Sequence, residues 1–185
     1  MEALKLDPIY TFDDILSLPE GERAELIDGQ IYYMASPKPL HQEIQMNLSA
    51  AIHNHLKSKD GPCKVYPAPF AVFLKKNNST YVEPDITVIC DPKKIDPEKG
   101  AIGAPDWIIE IMSTSSASHD CIRKLHLYQS SGVLEYWIVD PANNAVYVYY
   151  FSDNKYKPQT FSFTDKIKVN IFDDLEIDFG AFGFG

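Results

Sequence analysis

The chain has 185 residues, of which 45% are hydrophobic and 23% charged, and it carries a formal net charge of −9. These values are typical of a globular domain with its own core, and the acidic balance disfavours a broad basic surface for nucleic acid. No run approaches the roughly 18 consecutive apolar residues of a membrane span, and the N-terminus lacks the apolar core of a signal peptide. We therefore expect a protein without membrane contact.

The N-terminal part of the chain predicts a short helix, a hairpin and a long helix. Thr11 and Asp14 have the spacing of a capping box. Asp28-Gly29 separates two strand-like runs and is a strong hairpin signal. Apolar residues then recur every four positions from Leu40 to Leu56, which predicts a helix with one buried stripe.

The remaining chain alternates between strand-like runs and one more helix. The second helix is predicted between Ser113 and Gly132. The order of elements indicates an α/β or α+β domain, with a mixed central sheet flanked by helices, an N-terminal hairpin and additional C-terminal strands. We expect a single domain over 1–185, with 1–10 and 179–185 as terminal tails. Runs rich in β-branched and aromatic residues predict strands at 63–74, 84–90, 105–113, 134–140 and 144–151.

The three cysteines are odd in number, far apart and without CxxC spacing. They are Cys63, Cys90 and Cys121. This pattern argues against a disulfide framework and against a zinc site, so we expect reduced thiols and a cytoplasmic protein.

A carboxylate interrupts the apolar strand "PDWIIEIM". Because side chains alternate along a strand, Ile108, Glu110 and Met112 share one face. A charge buried among apolar residues is costly unless it is neutralised or paired with a cation. Glu110 therefore either lies at a strand end in solvent, pairs with one of the two arginines, or belongs to a site that binds something positive.

Asp85 opens another apolar strand and is the best partner for Glu110. If the two strands are neighbours, their carboxylates lie side by side and repel each other, which a divalent ion such as Mg²⁺ would relieve. Asp106 lies in the same strand as Glu110, but about 13 Å along it, which is too far for both to bind one ion. We therefore expect Asp106 to be a strand-entry or turn residue.

Five segments together resemble the PD-(D/E)XK nuclease superfamily, and more closely a bacterial family of restriction-endonuclease-like proteins that was formerly a domain of unknown function. The resemblance extends from about Thr11 to about Ile177. It implies a restriction-endonuclease-like core and metal-dependent hydrolysis of phosphodiester bonds in nucleic acid, DNA above all, with Mg²⁺ or Mn²⁺. The segments are "AELIDG", "EPDITVICDP", "GAPDWIIEIMSTSS", "RKLHLYQSSGVLEYWIVDP" and "VYVYY".

The resemblance implies roles for named residues. The metal would be held by Asp85, Glu110, the backbone carbonyl of Ile111 and, at the family's first acidic position, Glu25. The alternative for Glu25 is a solvated position on an edge hairpin. The superfamily motif ends in E-x-K, but this chain has Met112 there.

A lysine on the following helix resembles the family's replacement for the missing motif lysine. That lysine is Lys124, which borders the apolar face of the predicted helix. A surface lysine covering the helix edge is the alternative. Asp120, one turn earlier, would pair with Lys124, whereas Tyr128, one turn later, would steady it or pack in the core. Arg123 points away from the sheet and is expected to be solvated.

A histidine of the family near the site corresponds to His41. It would contact a phosphate or hold Glu25, and a solvated first-turn histidine is the alternative. Gln45, one turn later, is a lesser candidate.

The leading hypothesis is a Mg²⁺-dependent endonuclease that works as a homodimer. Positive charge for the substrate would come from Lys75, Lys76, Lys93 and Lys94 or from the second subunit. One alternative is a catalytically inactive nuclease-fold module for protein interaction or dimer assembly, which the acidic charge and Met112 favour. The other is a small phosphodiester hydrolase.

Overall fold

The computed structural model describes residues 9–74, 79–113, 117–151 and 158–184. These residues form a mixed α+β fold, as the sequence predicts, with two six-stranded sheets and one two-stranded sheet. A 3₁₀ turn at Pro92–Lys94 and another at Phe179–Phe182 complete it. The α-helices of the described part are α1 (Phe12–Leu16), α2 (Pro39–Lys59) and α3 (Ala117–Ser131).

The central sheet contains the strands with the most apolar sequences. Its strands Trp107–Ile111 and Glu135–Asp140 are parallel and are connected by α3, whereas its other neighbouring strands are antiparallel. In spatial order the strands are β12 (Gln159–Ser162), β11 (Ala145–Tyr150), β10 (Glu135–Asp140), β9 (Trp107–Ile111), β6 (Ile86–Ile89) and β3 (Lys64–Pro67).

The second six-stranded sheet, here called the hairpin sheet, begins with the predicted hairpin. Asp28 and Gly29 have φ values of 49° and 80°, the left-handed conformation that a two-residue type I′ turn needs at both positions. Its strands, in spatial order, are β2 (Gln30–Tyr33), β1 (Ala24–Ile27), β5 (Tyr81–Val82), β4 (Val72–Phe73), β8 (Gly100–Ile102) and β7 (Ile95–Asp96). A separate hairpin joins β13 (Lys166–Lys168) and β14 (Glu176–Asp178).

The two faces of the central sheet have different cover. Trp107, Ile109 and Ile111 pack in one cluster with the buried stripe of α2 and with the C-terminal segment. Ile108, from the other face of β9, packs in a second cluster with α3 and the hairpin sheet. Alternation along β9 therefore directs Glu110 towards α3 and the hairpin sheet.

The expectation of reduced cysteines is wrong for two of the three. Cys63 and Cys90 form a disulfide across 27 residues of chain. The reason is strand pairing, because β3 and β6 are antiparallel with Lys64 opposite Ile89, so the next step sets Cys63 opposite Cys90. The argument for a reducing compartment from cysteine spacing therefore does not hold. The side chain of Cys121 lies outside the described residues.

Two further expectations about segment boundaries need correction. The run 63–74 is not one strand, because the chain leaves the central sheet after Pro67 and β4 belongs to the hairpin sheet. Prolines at 67 and 69 cannot donate to a strand ladder, which explains the break. At the C-terminus, Phe179 is completely buried, and the described part of the predicted tail, 179–184, packs against the core. Residues 1–8 lie outside the described residues.

The helices of the described ranges are all too short or too polar to cross a lipid bilayer.

Candidate nuclease site

Asp85 and Glu110 lie on neighbouring strands and face the same side of the central sheet. Ile86 pairs with Ile109, so the next step of the antiparallel register sets Asp85 opposite Glu110. The Oδ2 atom of Asp85 accepts a hydrogen bond of 2.7 Å from the backbone N–H of Ile111. Gln45 in α2 donates to the backbone oxygen of Asp85 at 2.8 Å. Asp85 is thus held from both β9 and α2.

Lys124 is the positively charged partner of Glu110, which was one of the possibilities that the sequence left open. Its ammonium lies 3.0 Å from Oε1 of Glu110 and 2.8 Å from Oε2 of Glu25. The lysine is only 6% exposed, and Glu25 in β1 only 3%. Lys124 therefore joins β9 to β1 through a buried ion pair with Glu25 and a partly buried one with Glu110. Neither the solvated strand end for Glu110 nor the solvated positions for Glu25 and Lys124 is observed.

The hydroxyl of Tyr128 donates to Oε1 of Glu110 at 2.6 Å. Tyr128 is fully buried and contacts the carboxylate directly, in addition to its packing in the core. Burial raises the pKa of Glu110 to about 7 against the opposing effect of Lys124, and the charges of Asp85 and Glu25 add to the rise. Burial, together with the charge of Glu110, also raises the pKa of Tyr128 well above its usual range. Glu110 thus titrates near neutral pH.

His41, near the start of α2, is a partner of Asp85 and not of Glu25. Its Nε2 atom lies 3.2 Å from Oδ2 of Asp85, and its side chain is mostly buried. Burial lowers the pKa of the imidazole, but the hydrogen bond to Asp85 and the charges of Asp85 and Glu110 outweigh this, so the pKa is raised. The imidazolium form is therefore favoured beside the two carboxylates.

The site residues described above, except Tyr128, border one cleft of about 790 Å³. Glu25, Asp85, Glu110, Ile111 and Met112 are part of its wall. Positive side chains from three different elements also line it. They are Arg23, Lys38, His41, Arg123 and Lys124.

Lys93 and Lys94, one of the two predicted lysine pairs, do not line this cleft. Lys94 donates to the backbone oxygen of Ala104 at 2.7 Å, which lies before the start of β9 and at the opposite end from Glu110. Lys75 and Lys76 lie outside the described residues, as does the side chain of Asp120. Arg123 is also not simply solvated, because its guanidinium carbon lies 4.2 Å from the ring centroid of Tyr32.

Asp106 is a strand-entry residue. Its Oδ2 accepts a hydrogen bond of 2.7 Å from the backbone N–H of Cys90. Its backbone oxygen accepts from Leu134 and Glu135, at the entry to β10. The carboxylate therefore ties strand ends together at the far end of the sheet from Asp85.

Gln45 was a lesser candidate from the sequence, but its contact with Asp85 was not predicted, and neither was the role of Glu83. Gln45 is a buried polar residue beside the apolar stripe of α2, and this mismatch is a usable sequence signal. Glu83 donates its backbone N–H to Oε1 of Glu25 at 3.0 Å and forms an ion pair with Arg23. Its position beside Pro84-Asp85 gives no separate hint of that role.

The oxygen atoms of the site suit a hard cation only in part. Within the described ranges, no three His, Cys, Asp or Glu side chains form a ready metal cage. The hydrogen bonds of the described residues reach Oδ2 of Asp85 and Oε1 of Glu110, but not Oδ1 or Oε2. Each carboxylate is thus fixed through one oxygen and keeps the other for a ligand. Mg²⁺ can bind to so few protein oxygens, because it is usually held by one or two carboxylates and keeps several water molecules.

A mixed sheet with paired carboxylates and a nearby lysine is the arrangement of a restriction-endonuclease-like protein of the PD-(D/E)XK type. The family model described as "Uma2: Putative restriction endonuclease" matches residues 11–180, and the chain belongs to this family. The resemblance inferred from the sequence motifs is thereby confirmed.

Similar proteins include two from Synechocystis sp. and one solved structure. "Uncharacterized protein slr1290" is 29% identical over 136 residues, which cover 73% of this chain and 70% of the relative. "Uncharacterized protein sll1609" is 30% identical over 121 residues, covering 64% and 67%. A "putative nuclease belonging to DUF820" from Anabaena variabilis has a TM-score of 0.75 at 23% identity, over 94% of this chain and 98% of that one. This last likeness establishes the fold.

Proposed function

We propose that the protein is a metal-dependent endonuclease that hydrolyses phosphodiester bonds of nucleic acid, with DNA as the first candidate. The observation that carries the proposal is the convergence of Asp85, Glu110 and Lys124 at one cleft, with 3.0 Å between the ammonium and Glu110. Family and fold support a nuclease in general. The metal, the role of the lysine and the preference for DNA are specific to our proposal.

In this proposal Asp85, Glu110 and the backbone carbonyl of Ile111 hold Mg²⁺ or Mn²⁺. When bound, the ion would polarise the phosphate and lower the pKa of a water molecule. Glu25 completes the acidic set in one of two ways, as a further ligand or as the partner that keeps Lys124 in place. Its hydrogen bonds to Glu83 and Lys124 favour the second.

Three residues of the chain would act around the reacting phosphate. Lys124 donates hydrogen bonds, so it can orient the attacking water and stabilise negative charge that develops in the transition state. His41 fixes Asp85 through Oδ2, and Tyr128 fixes Glu110 through Oε1. Both act as positioning residues, because they restrict which carboxylate oxygen faces the cleft.

Two observations favour the alternative of an inactive nuclease-fold module. Met112 stands where the motif has a lysine, and Lys124 already balances Glu25 and Glu110 without a metal. Such a module would bind a protein or assemble as a homodimer. The homodimer, the cytoplasmic location and the small phosphodiester hydrolase stay predictions.

Metal binding and cleavage should be measured on the same variants. We expect calorimetric titration with Mn²⁺ to show binding to the wild type and a large loss in Asp85→Asn and Glu110→Gln. Plasmid, single-stranded DNA, RNA and a chromogenic phosphodiester then serve as substrates with Mg²⁺. We expect cleavage of DNA by the wild type and none by Asp85→Ala, Glu110→Ala or Lys124→Ala.

The matched control is Asp106→Asn, because Asp106 also follows a proline but lies at the far end of β9. It should bind Mn²⁺ and cleave DNA as the wild type does. Cleavage that persists in both the Asp85 and Glu110 variants would remove the site. Turnover of the chromogenic ester alone would favour the small phosphodiester hydrolase, and no metal binding at all would favour the inactive module.

A further inference from the structure

Arg123 and Tyr32 form a stacked pair directly beside the candidate nuclease site. Arg123 precedes Lys124 in α3, and its guanidinium carbon lies 4.2 Å from the Tyr32 ring centroid. Tyr32 is the cross-strand neighbour of Glu25 in the β1–β2 register. Directly opposite residues of antiparallel strands share a face, so the stacked pair adjoins the Lys124–Glu25 ion pair.

The stack prepares the guanidinium for an anion. A guanidinium that lies against an aromatic ring uses its flat face for that contact, while its N–H groups radiate in its own plane. The planar fork of N–H donors matches two oxygens of a phosphate. Restricting the arginine on a ring also reduces the side-chain entropy lost on binding. The Tyr32 ring therefore makes Arg123 a preorganised donor.

The position of the pair suits a substrate that extends beyond the reacting phosphate. Arg123 and Tyr32 line the same cleft as Asp85, Glu110 and Lys124. The pair lies at β2, an edge strand of the hairpin sheet, and no strand of the described residues pairs with the outer side of β2. Although the chain as a whole carries a net charge of −9, four Lys and Arg side chains line this cleft beside three carboxylates.

We propose that Arg123, held by Tyr32, binds a second phosphate of a nucleic acid strand, next to the one at Asp85 and Glu110. The inference rests on the proposed nuclease function and deepens it. It implies that the substrate is a polynucleotide, because a small phosphodiester has no second phosphate. Arg123 is then a substrate-binding residue and Tyr32 its positioning residue.

Binding of a fluorescent single-stranded oligonucleotide tests this without any cleavage, if it is followed by anisotropy in EDTA. We expect Arg123→Ala to weaken binding about tenfold and to reduce the slope of log K against log salt by about 1. Arg123→Lys should fall in between, because an ammonium keeps the charge but not the planar fork. The control Lys168→Ala, in an exposed lysine of β13 that does not line the cleft, should keep the wild-type slope.

Tyr32 provides a readout that a merely structural role would not give. Tyr32→Phe keeps the ring and should bind as the wild type does, whereas Tyr32→Leu should bind several-fold more weakly. In an Arg123→Ala background, Tyr32→Leu should have no further effect, because the two residues act as one unit. Circular dichroism and thermal unfolding identify any variant that has lost its fold, and only folded variants enter the cycle.

Equal affinity and an equal salt slope for wild type and Arg123→Ala would overturn the inference. A labelled poly-glutamate peptide that binds as well as the oligonucleotide would also overturn it, because the site would then not select phosphate. If the wild type binds the oligonucleotide through Arg123 but neither binds Mn²⁺ nor cleaves, the nuclease proposal fails and the phosphate site stands. If it cleaves while Arg123→Ala binds normally, only the phosphate site fails.

Discussion

Two neighbouring strands of the central sheet each bury a glutamate, and the protein compensates the two in different ways. Glu135 in β10 is completely buried on the face opposite to Glu110. Trp137 Nε1 and Asn170 Nδ2 donate to its Oε1 at 2.7 and 3.0 Å, and the backbone N–H groups of Asn170 and Ile171 donate to Oε2 at 2.7 and 2.9 Å. Glu110 in β9 instead receives Lys124 and Tyr128, both on Oε1.

The comparison separates a structural carboxylate from one that can bind a ligand. Burial raises the pKa of Glu135 and of Glu110 alike. A buried acid with a shifted pKa is therefore not in itself a sign of function. The difference is that Glu135 has neutral donors on both oxygens and is sealed, whereas Glu110 depends on a cation and borders a cleft. Glu135 joins the segment at Asn170 to the sheet, whereas the hydrogen bonds to Glu110 from the described residues reach only its Oε1.

Removing the cation should have the largest effect on stability. Lys124→Met leaves Glu25 and Glu110 buried without a positive partner, so we expect the free energy of unfolding to fall by about 3–5 kcal/mol near neutral pH. The loss should shrink in acid, where the carboxyl groups become protonated. Urea unfolding in EDTA at about pH 8 and about pH 5 measures both effects.

The matched control for this prediction is the double variant Lys124→Met with Glu25→Gln. It removes one of the two stranded charges and should recover part of the lost stability. If Lys124→Met alone is as stable as the wild type, the cluster does not depend on the cation, and the comparison with Glu135 collapses.

The next largest effect on stability concerns Glu135, whose two oxygens both accept hydrogen bonds. Glu135→Gln keeps the shape of the side chain but replaces one oxygen by an NH₂ group. Because each oxygen of Glu135 accepts from two donors, the NH₂ group faces two donors in either orientation of the amide. We expect a loss of about 2–3 kcal/mol of unfolding free energy, from two missing hydrogen bonds and the donors they leave buried. Because the residue faces away from the cleft, Mn²⁺ affinity of the folded variant should equal that of the wild type. A weakened Mn²⁺ affinity would show that the two faces are not independent.

A smaller effect appears in the pH dependence of stability. The folded-state pKa of Glu110 is about 7, above its ordinary value of 4.5. The folded state therefore binds this proton more tightly than the unfolded state, so the contribution is full below pH 4.5 and is lost as the pH rises through 7. In EDTA, the wild type should lose about 2 kcal/mol more than Glu110→Gln between about pH 5 and about pH 8.

Because both proteins retain Glu135, its titration cancels in this difference. Parallel stability curves for wild type and Glu110→Gln would mean that Glu110 has an ordinary pKa and that the cleft is better hydrated than its burial indicates.

Features set by neighbouring residues were predictable from the sequence. The capping box at Thr11 and Asp14, the turn at Asp28-Gly29 and the helix end at Gly132 are all present. Each depends on hydrogen bonds or backbone angles within a few residues, so the local sequence carries the necessary information. The common face of Ile108 and Glu110 was also predictable, because strand alternation needs no knowledge of the partner strand.

Features set by distant pairing were not predictable. The Cys63–Cys90 disulfide follows from the register of β3 and β6, and spacing along the chain does not encode that register. The Arg123–Tyr32 stack likewise depends on how α3 packs on the hairpin sheet. Lys124 was a candidate through family resemblance, but its second partner, Glu25, is 99 residues away. The functional roles proposed for Arg123, Lys124 and Glu25 stay predictions.

The smallest effect concerns the hydroxyl of Tyr128, which the sequence suggested as a support for Lys124 or as a core residue. In the structure it donates to Oε1 of Glu110 at 2.6 Å, and this bond lowers the pKa of that carboxyl. Tyr128→Phe removes one oxygen and keeps the packing, so we expect a loss of about 1 kcal/mol in unfolding free energy near neutral pH. The pKa of Glu110, followed by carbon NMR of the labelled carboxyl, should rise further.

Tyr147→Phe, in a tyrosine packed against the same core cluster, is the control and should leave that pKa unchanged. An unaltered Glu110 pKa in Tyr128→Phe would assign Tyr128 to packing alone, and Lys124 would then be the sole group that distinguishes Glu110 from the sealed Glu135.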